Sequence, residues 1–183
     1  MRVVAVSASP RRDSNSRFLL ESFLSFAPAE AVVERFEAYR MRVSPCLACG
    51  ACSSGSCPLE DDALCFLNAL EAADAIVVSF PVYFFGPPAP FKLLVDRSQP
   101  LWFKSFVVKA PVKPKRGVLI NVGASGSPRM FEACRLIVGV WFNSVGASFE
   151  EHLKFCNVEA EGEVRGRKEI LLRVEDAAKR FFS

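Results

Sequence analysis

No apolar run in this sequence reaches the roughly 18 residues needed to cross a bilayer. The longest candidate, "AIVVSFPVYFFGPPAPF", is broken by Pro81, Pro87, Pro88 and Pro90. The opening "MRVVAVSASPRR" stops being apolar too early for a secretory signal, so export is not indicated and a cytoplasmic protein is expected. Charge of one sign is also missing. A net charge of +3, spread evenly, argues against nucleic-acid or membrane surfaces as partners. Internal repeats and low-complexity tracts are absent. So are the G-x-G-x-x-G dinucleotide fingerprint and the Gly-Lys-Ser/Thr ending of a P-loop, which disfavours a nucleoside triphosphate. Histidine occurs once, as His152, in an expected strand with Glu150 and Glu151 beside it. No acid–base constellation forms around it, and catalytic residues of that kind are not assigned.

Cysteine, by contrast, is plentiful. Seven cysteines, an odd number, in a chain without export signals point to metal or redox chemistry rather than a disulfide framework. Four of them, Cys46, Cys49, Cys52 and Cys57, fall in "PCLACGACSSGSCP", residues 45–58. Cys65, Cys134 and Cys156 are expected to be buried small hydrophobes on later elements.

The 183 residues, 51% apolar, suit one domain over 1–183. "RVVAVS" reads as a strand buried on both faces, and "SNSRFLLESFLSFA" as a helix with Phe18, Leu19, Phe23 and Leu24 at helical spacing. "AVVERFEA" is a second strand, "ALCFLNALEAA" a helix opened by Asp61 and Asp62, and "AIVVSF" a third strand. "FKLLVDR" is a short helix ending in Asp96 and Arg97, read as a cap and a surface pair. An insertion at about 98–116 carries exposed-looking Trp102 and Phe103, and ends in Lys113, Lys115 and Arg116, read as a solvated turn. "GVLINV", "MFEACRLIVGVWFNSV" closed at Gly146, "SFEEHLKF" and "EILLRVEDAAKRFF" complete the alternation. Strands alternating with helices predict an α/β, flavodoxin-like doubly wound sheet of five parallel strands. The order is 2-1-3-4-5, with helices on both faces and the Cys-rich loop after strand 2.

Ligands of such sheets bind outside the carboxyl ends of the strands. The first loop there, "SASPRRDSNSR", offers Ser7, Ser9, Ser14, Asn15 and Ser16, the cations Arg11, Arg12 and Arg17, and a helix N-terminus. With Pro10 shaping the turn, this is a phosphate cradle, or else a Ser-rich N-cap. "SFPVYFFGPP" presents Pro81, Val82, Tyr83, Phe84, Phe85 and Gly86, flat apolar groups that either cover an aromatic cofactor or fill the core. "NVGASGSPR" brings backbone at Gly123, Ala124 and Gly126. A mononucleotide with a large flat ring would use all three.

These three loops, together with "PCLACGACSSGSCPLEDD", resemble the flavodoxin-like NAD(P)H-dependent FMN reductase superfamily, and the cysteine spacing resembles its iron-sulfur flavoprotein branch. The resemblance covers residues 1–130 by motif and departs from the pattern at Ser7, Phe80 and Phe85. It implies FMN, with the phosphate on Ser9, Arg11, Ser14, Asn15 and Ser16 and the ring near Pro81 to Gly86. It also implies a 4Fe-4S cluster on Cys46, Cys49, Cys52 and Cys57. Read on spacing alone, three cysteines each separated by two residues, followed by Cys57-Pro58, suit a cubane. Zinc, which usually draws on two separated Cys pairs, reversible disulfides and a non-ligating loop stay open.

The leading expectation is an electron-transfer oxidoreductase, fed by a ferredoxin-like donor and passing electrons to oxygen, peroxide or a quinone. The alternative is an NAD(P)H-dependent FMN or quinone reductase without a cluster. A flavodoxin-type carrier is disfavoured by the positive net charge, and a zinc-stabilised module without flavin is the remaining reading. The family resemblance further implies a homodimer or homotetramer.

Overall fold

The computed structural model describes residues 1–183. Five strands, β1 (Arg2–Ser7), β2 (Val32–Glu37), β3 (Ala75–Pro81), β4 (Lys115–Val122) and β5 (Ala147–Phe155), form one parallel sheet in the order β2-β1-β3-β4-β5. The expected fold and strand order are therefore correct. The central strands are continuous apolar runs because both of their faces are covered. β3 is buried at every position except Pro81, whereas edge strands β2 and β5 are half-exposed.

Helices α1 (Asn15–Leu24) and α6 (Lys168–Phe182) cover one face, with Leu19, Phe23, Val174 and Phe181 in its core. Helices α2 (Ala63–Ala72), α3 (Ala89–Arg97) and α5 (Met130–Ser144) cover the other, around Phe66, Phe91, Trp141 and Phe142. α5 ends where expected, at Gly146, whose φ of +79° is the left-handed conformation that glycine adopts without cost. The 98–116 insertion is not irregular. It holds the short helix α4 (Gln99–Trp102), which continues as a π-turn through Phe103–Val107, and it leaves Trp102, Phe106, Val107 and Val108 exposed.

Four residues differ from expectation. Arg97 is not a surface residue: it is 1% exposed, while Asp96 pairs with Lys92 in solvent. Lys115 is buried in strand β4, where its ammonium donates to the Lys113 carbonyl at 2.7 Å and burial lowers its pKa. Cys65 is exposed on α2 and Cys156 is half-buried after β5, so only Cys134 of the three packs as a core hydrophobe.

β4 carries a bulge at Gly117/Val118 against β5, and a Cβ at Gly117 would lie 2.6 Å from the ring of fully buried Phe142. Gly117→Ala is expected to lower stability by about 1–3 kcal/mol, read as a fall in urea midpoint without a change in slope. The Asn121 amide on β4 donates to the Phe80 carbonyl at 3.0 Å, which leaves its oxygen to accept from His152 Nε2 at 2.9 Å. His152 Nδ1 is then buried without a partner. Burial, with help from Lys154 and Arg135, pushes the imidazole pKa from 6.5 down to about 4. Below pH 6.5 the unfolded chain takes up a proton that the folded one refuses, so stability falls as pH drops from about 6.5 to about 4. The expected loss is about 3 kcal/mol, and urea titrations of wild type and His152→Gln at both ends of that window should show it only in wild type.

Candidate functional site

The carboxyl ends of β1, β3 and β4 open into a cleft of about 190 Å³. Its walls bring together Ser9, Arg11, Ser14, Asn15 and Ser16 from the first loop, Pro81, Val82 and Tyr83 from the second, and Gly123 and Ala124 from the third. Ser14 caps α1, its hydroxyl accepting from the Arg17 amide at 3.2 Å and pairing with Ser16 Oγ at 3.1 Å. Ser9, Ser14 and Ser16 are all buried, and beneath them the buried Ser7 Oγ has no partner. Several buried hydroxyls at the N-terminus of a ten-residue helix suit a phosphate monoester, so these residues fit the FMN phosphate.

Other expected positions do different work. Asn15 is used inside the protein: its Nδ2 donates to the Ala160 carbonyl at 2.7 Å and its oxygen accepts from the Val164 amide at 3.2 Å. Arg11 donates to the Glu159 carbonyl at 2.6 Å, Arg17 pairs with Glu37 at 3.0 Å, and Pro10 and Arg12 stay exposed. Gly123, on the cleft wall, also leaves room for the Met130 side chain, and Gly126 leaves room for Asn157. Sequence reasoning missed Val158 and Glu159, which close the cleft from the loop after β5. That loop is fastened where the Val158 amide donates to the Gly123 carbonyl at 3.0 Å. Its signal was available, because it too leaves the carboxyl edge of the sheet.

Phe84, Phe85 and Gly86 stand outside the cleft wall on a two-residue hairpin. Tyr83 and Gly86 exchange both amide–carbonyl hydrogen bonds at 2.9 Å, and Phe84 and Phe85 adopt φ of +48° and +64°. Such a turn ordinarily takes Asn-Gly, and bulky side chains at positive φ are strained. Phe84 is fully exposed and Phe85 is 53% exposed. Strain of this kind costs of order 1–3 kcal/mol at each residue. Replacing Phe84-Phe85 by Asn-Gly is expected to raise stability by about 1 kcal/mol while weakening flavin retention on dialysis.

The cysteine loop leaves the same edge after β2. Left-handed residues Ala48, Gly50 and Gly55 fold it into tight turns. Its four thiols are free and line one cavity of about 580 Å³, walled by Leu93, Gln99, Trp102 and Phe103 of α3, α4 and the π-turn. Burial raises the Cys52 thiol pKa, and the charges of Cys57, Cys46 and Cys49 raise it further, so the four sulfurs act on one another. No three acidic, histidine or cysteine side chains converge on a point that would hold a single metal ion. The donor set, four free thiols lining one cavity, fits an iron–sulfur cluster in its chemistry.

Arg97 seals this loop from below. Its Nη1 donates to Asp61 Oδ2 at 2.6 Å and to the Ser44 carbonyl at 3.0 Å, and its Nη2 donates to the Leu59 carbonyl at 3.2 Å. Asp61 in turn accepts from the Ser44 amide at 2.8 Å and, through Oδ1, from the Ala63 amide at 3.0 Å. Asp61 thus supplies the side-chain acceptor for the first amide of α2, while Asp62 holds the N-cap position and its carboxylate accepts from the Arg42 amide. Burial alone would raise the Asp61 pKa, but the Arg97 hydrogen bond and the two amides hold it below the usual carboxylate range.

Residues 1–147 match the family described as NADPH-dependent FMN reductase, and the chain belongs to that family. The family's description names FMN as its flavin. Within the family the chain falls with the iron-sulfur flavoproteins. It is 34% identical over 127 residues to "Iron-sulfur flavoprotein MJ1083" of Methanocaldococcus jannaschii, covering 68% of this chain and 63% of that protein. It is also 34% identical over 127 residues to an iron-sulfur flavoprotein of Methanosarcina thermophila, covering 68% of this chain and 64% of that one. The aligned region thus spans under two thirds of either relative. Among solved structures, an NAD(P)H:quinone oxidoreductase from Methanothermobacter marburgensis superimposes with a TM-score of 0.79 at 20% identity, covering 100% of this chain and 98% of that one. An FMN-dependent NADH-azoreductase from Bacillus anthracis, solved with FMN, gives 0.70 at 16% identity with 100% of both chains covered. Both show the shared fold.

Proposed function

We propose that this protein is an FMN oxidoreductase with a 4Fe-4S cluster on Cys46, Cys49, Cys52 and Cys57, linking a ferredoxin-like electron donor to a small acceptor such as oxygen, peroxide or a quinone. The observation that carries this reading is the placement of four free thiols around one cavity, on the sheet edge that also carries the flavin cleft. When bound, a flavin exchanges one or two electrons and a cluster exchanges one, so together they join one-electron and two-electron partners.

The chain's own residues supply the holding and the shielding. Ser9, Ser14 and Ser16, with the α1 N-terminus, hold the phosphate end, and Pro81, Val82 and Tyr83 line the ring side. Trp102 and Phe103 give the cysteine cavity an apolar wall. The names of the aligned relatives support the cluster. A second reading, an NAD(P)H-dependent FMN or quinone reductase with bare thiols, is supported by the full-length fold match to the quinone oxidoreductase and by the absence of a point of convergence for one metal ion.

Anaerobic stopped-flow mixing separates the two. A reduced ferredoxin-type carrier is expected to bleach the flavin rapidly and NADPH only slowly, with rapid bleaching by NADPH sinking the first reading. Cys49→Ser should keep its flavin yet lose carrier-driven bleaching by at least about tenfold, measured in the same mixing experiment.

A further inference from the structure

Arg97 is a cation removed from solvent in a protein that otherwise keeps its guanidinium groups at the surface or half-buried. Three of its five N–H groups are committed, two through Nη1 and one through Nη2. The Nε–H is buried with no partner in the protein. The acceptors it does have are chosen by position: the Ser44 carbonyl lies two residues before Cys46, and the Leu59 carbonyl lies two residues after Cys57. One guanidinium therefore ties together the two ends of the cysteine loop. Cys57 is half-buried and stands on the same cavity as Leu59.

We infer that Arg97 is the positioning residue of the cluster site, clamping the loop at both ends and keeping its uncommitted N–H groups for a sulfur of that loop. This rests on the cluster reading above and adds to it an electrostatic role. A cation and N–H donors beside a ligating sulfur stabilise the state with more negative charge, which is the reduced one, and so raise the reduction potential. A clamp that merely shaped the loop would alter iron retention and leave the potential of the loaded fraction unchanged.

The test compares wild type with Arg97→Lys, which keeps the positive charge but not the planar fork. Both are reconstituted anaerobically with ferrous iron and sulfide, and flavin content reports that the fold is intact. EPR-monitored redox titration of the loaded fraction then gives the cluster potential, and a chelator challenge gives iron retention. The variant is expected to keep its flavin, to lose iron at least about tenfold faster, and to shift its reduction equilibrium about tenfold toward the oxidised form, about 59 mV lower for a one-electron couple. Where the lysine variant does not fold, the paired replacement Arg97→Met with Asp61→Leu removes both buried charges together and serves in its place. Equal potential and equal iron retention in a flavin-loaded variant overturn the role of Arg97 alone. Faster iron loss at an unchanged potential reduces it to a structural clamp and overturns the tuning role. Wild type that takes up flavin but no iron overturns this inference and the cluster reading together.

Discussion

The buried ion pair between Arg97 and Asp61 is the constraint on which the candidate site depends. The cysteine stretch is mostly exposed and holds little regular structure, a 3-10 turn over Ala51–Ser54 being its one helical piece. Left to itself, such a segment has no reason to keep four thiols on one cavity. The pair fixes it where it begins and where it ends, and through Asp61 it joins the loop to the first turn of α2. Burying two charges is unfavourable unless their remaining hydrogen-bonding capacity is met. Here three of the Arg97 N–H groups and both Asp61 oxygens have partners, and the unmet Nε–H is left on the side of chemistry rather than of folding.

The parallel sheet supplies the second constraint. Because all five strands run the same way, every loop that leaves a carboxyl end arrives on one edge. Phosphate hydroxyls after β1, the cysteines after β2, the strained Phe-Phe hairpin after β3 and the closing segment after β5 are thereby gathered without any long-range design beyond strand order. The C-terminal portion lies outside the stretch that matches the family, yet it closes the cleft through Val158 and Glu159 and occupies both ends of the Asn15 amide. An account confined to the matching residues would leave one wall out.

Strand order and element type were legible because apolar runs and helical spacing survive in the sequence wherever a sheet is buried on both faces. The Ser-rich loop and the cysteine spacing were legible because their residue types are unusual in themselves. What sequence could not reveal depends on pairing across the fold. Arg97 closes an amphipathic helix, as countless surface arginines do, and only the arrival of Asp61 from 36 residues away makes it a buried clamp. Lys115 looks like a turn lysine until strand β4 is seen to begin with it. Asn15 has the right type and place for a phosphate ligand, but its partners come from about 145 residues downstream. Gly123 and Gly126 read as room for a ligand, and only the fold shows that they also make room for Met130 and Asn157.

The central claim is that the cysteine loop and the flavin cleft form one redox unit. Iron, acid-labile sulfide, zinc and flavin quantified per chain on protein purified without air test it most directly. The account predicts about four iron and four sulfide alongside one FMN, with zinc at background. Flavin at full occupancy with zinc bound, or with neither metal and four titratable thiols, would contradict it.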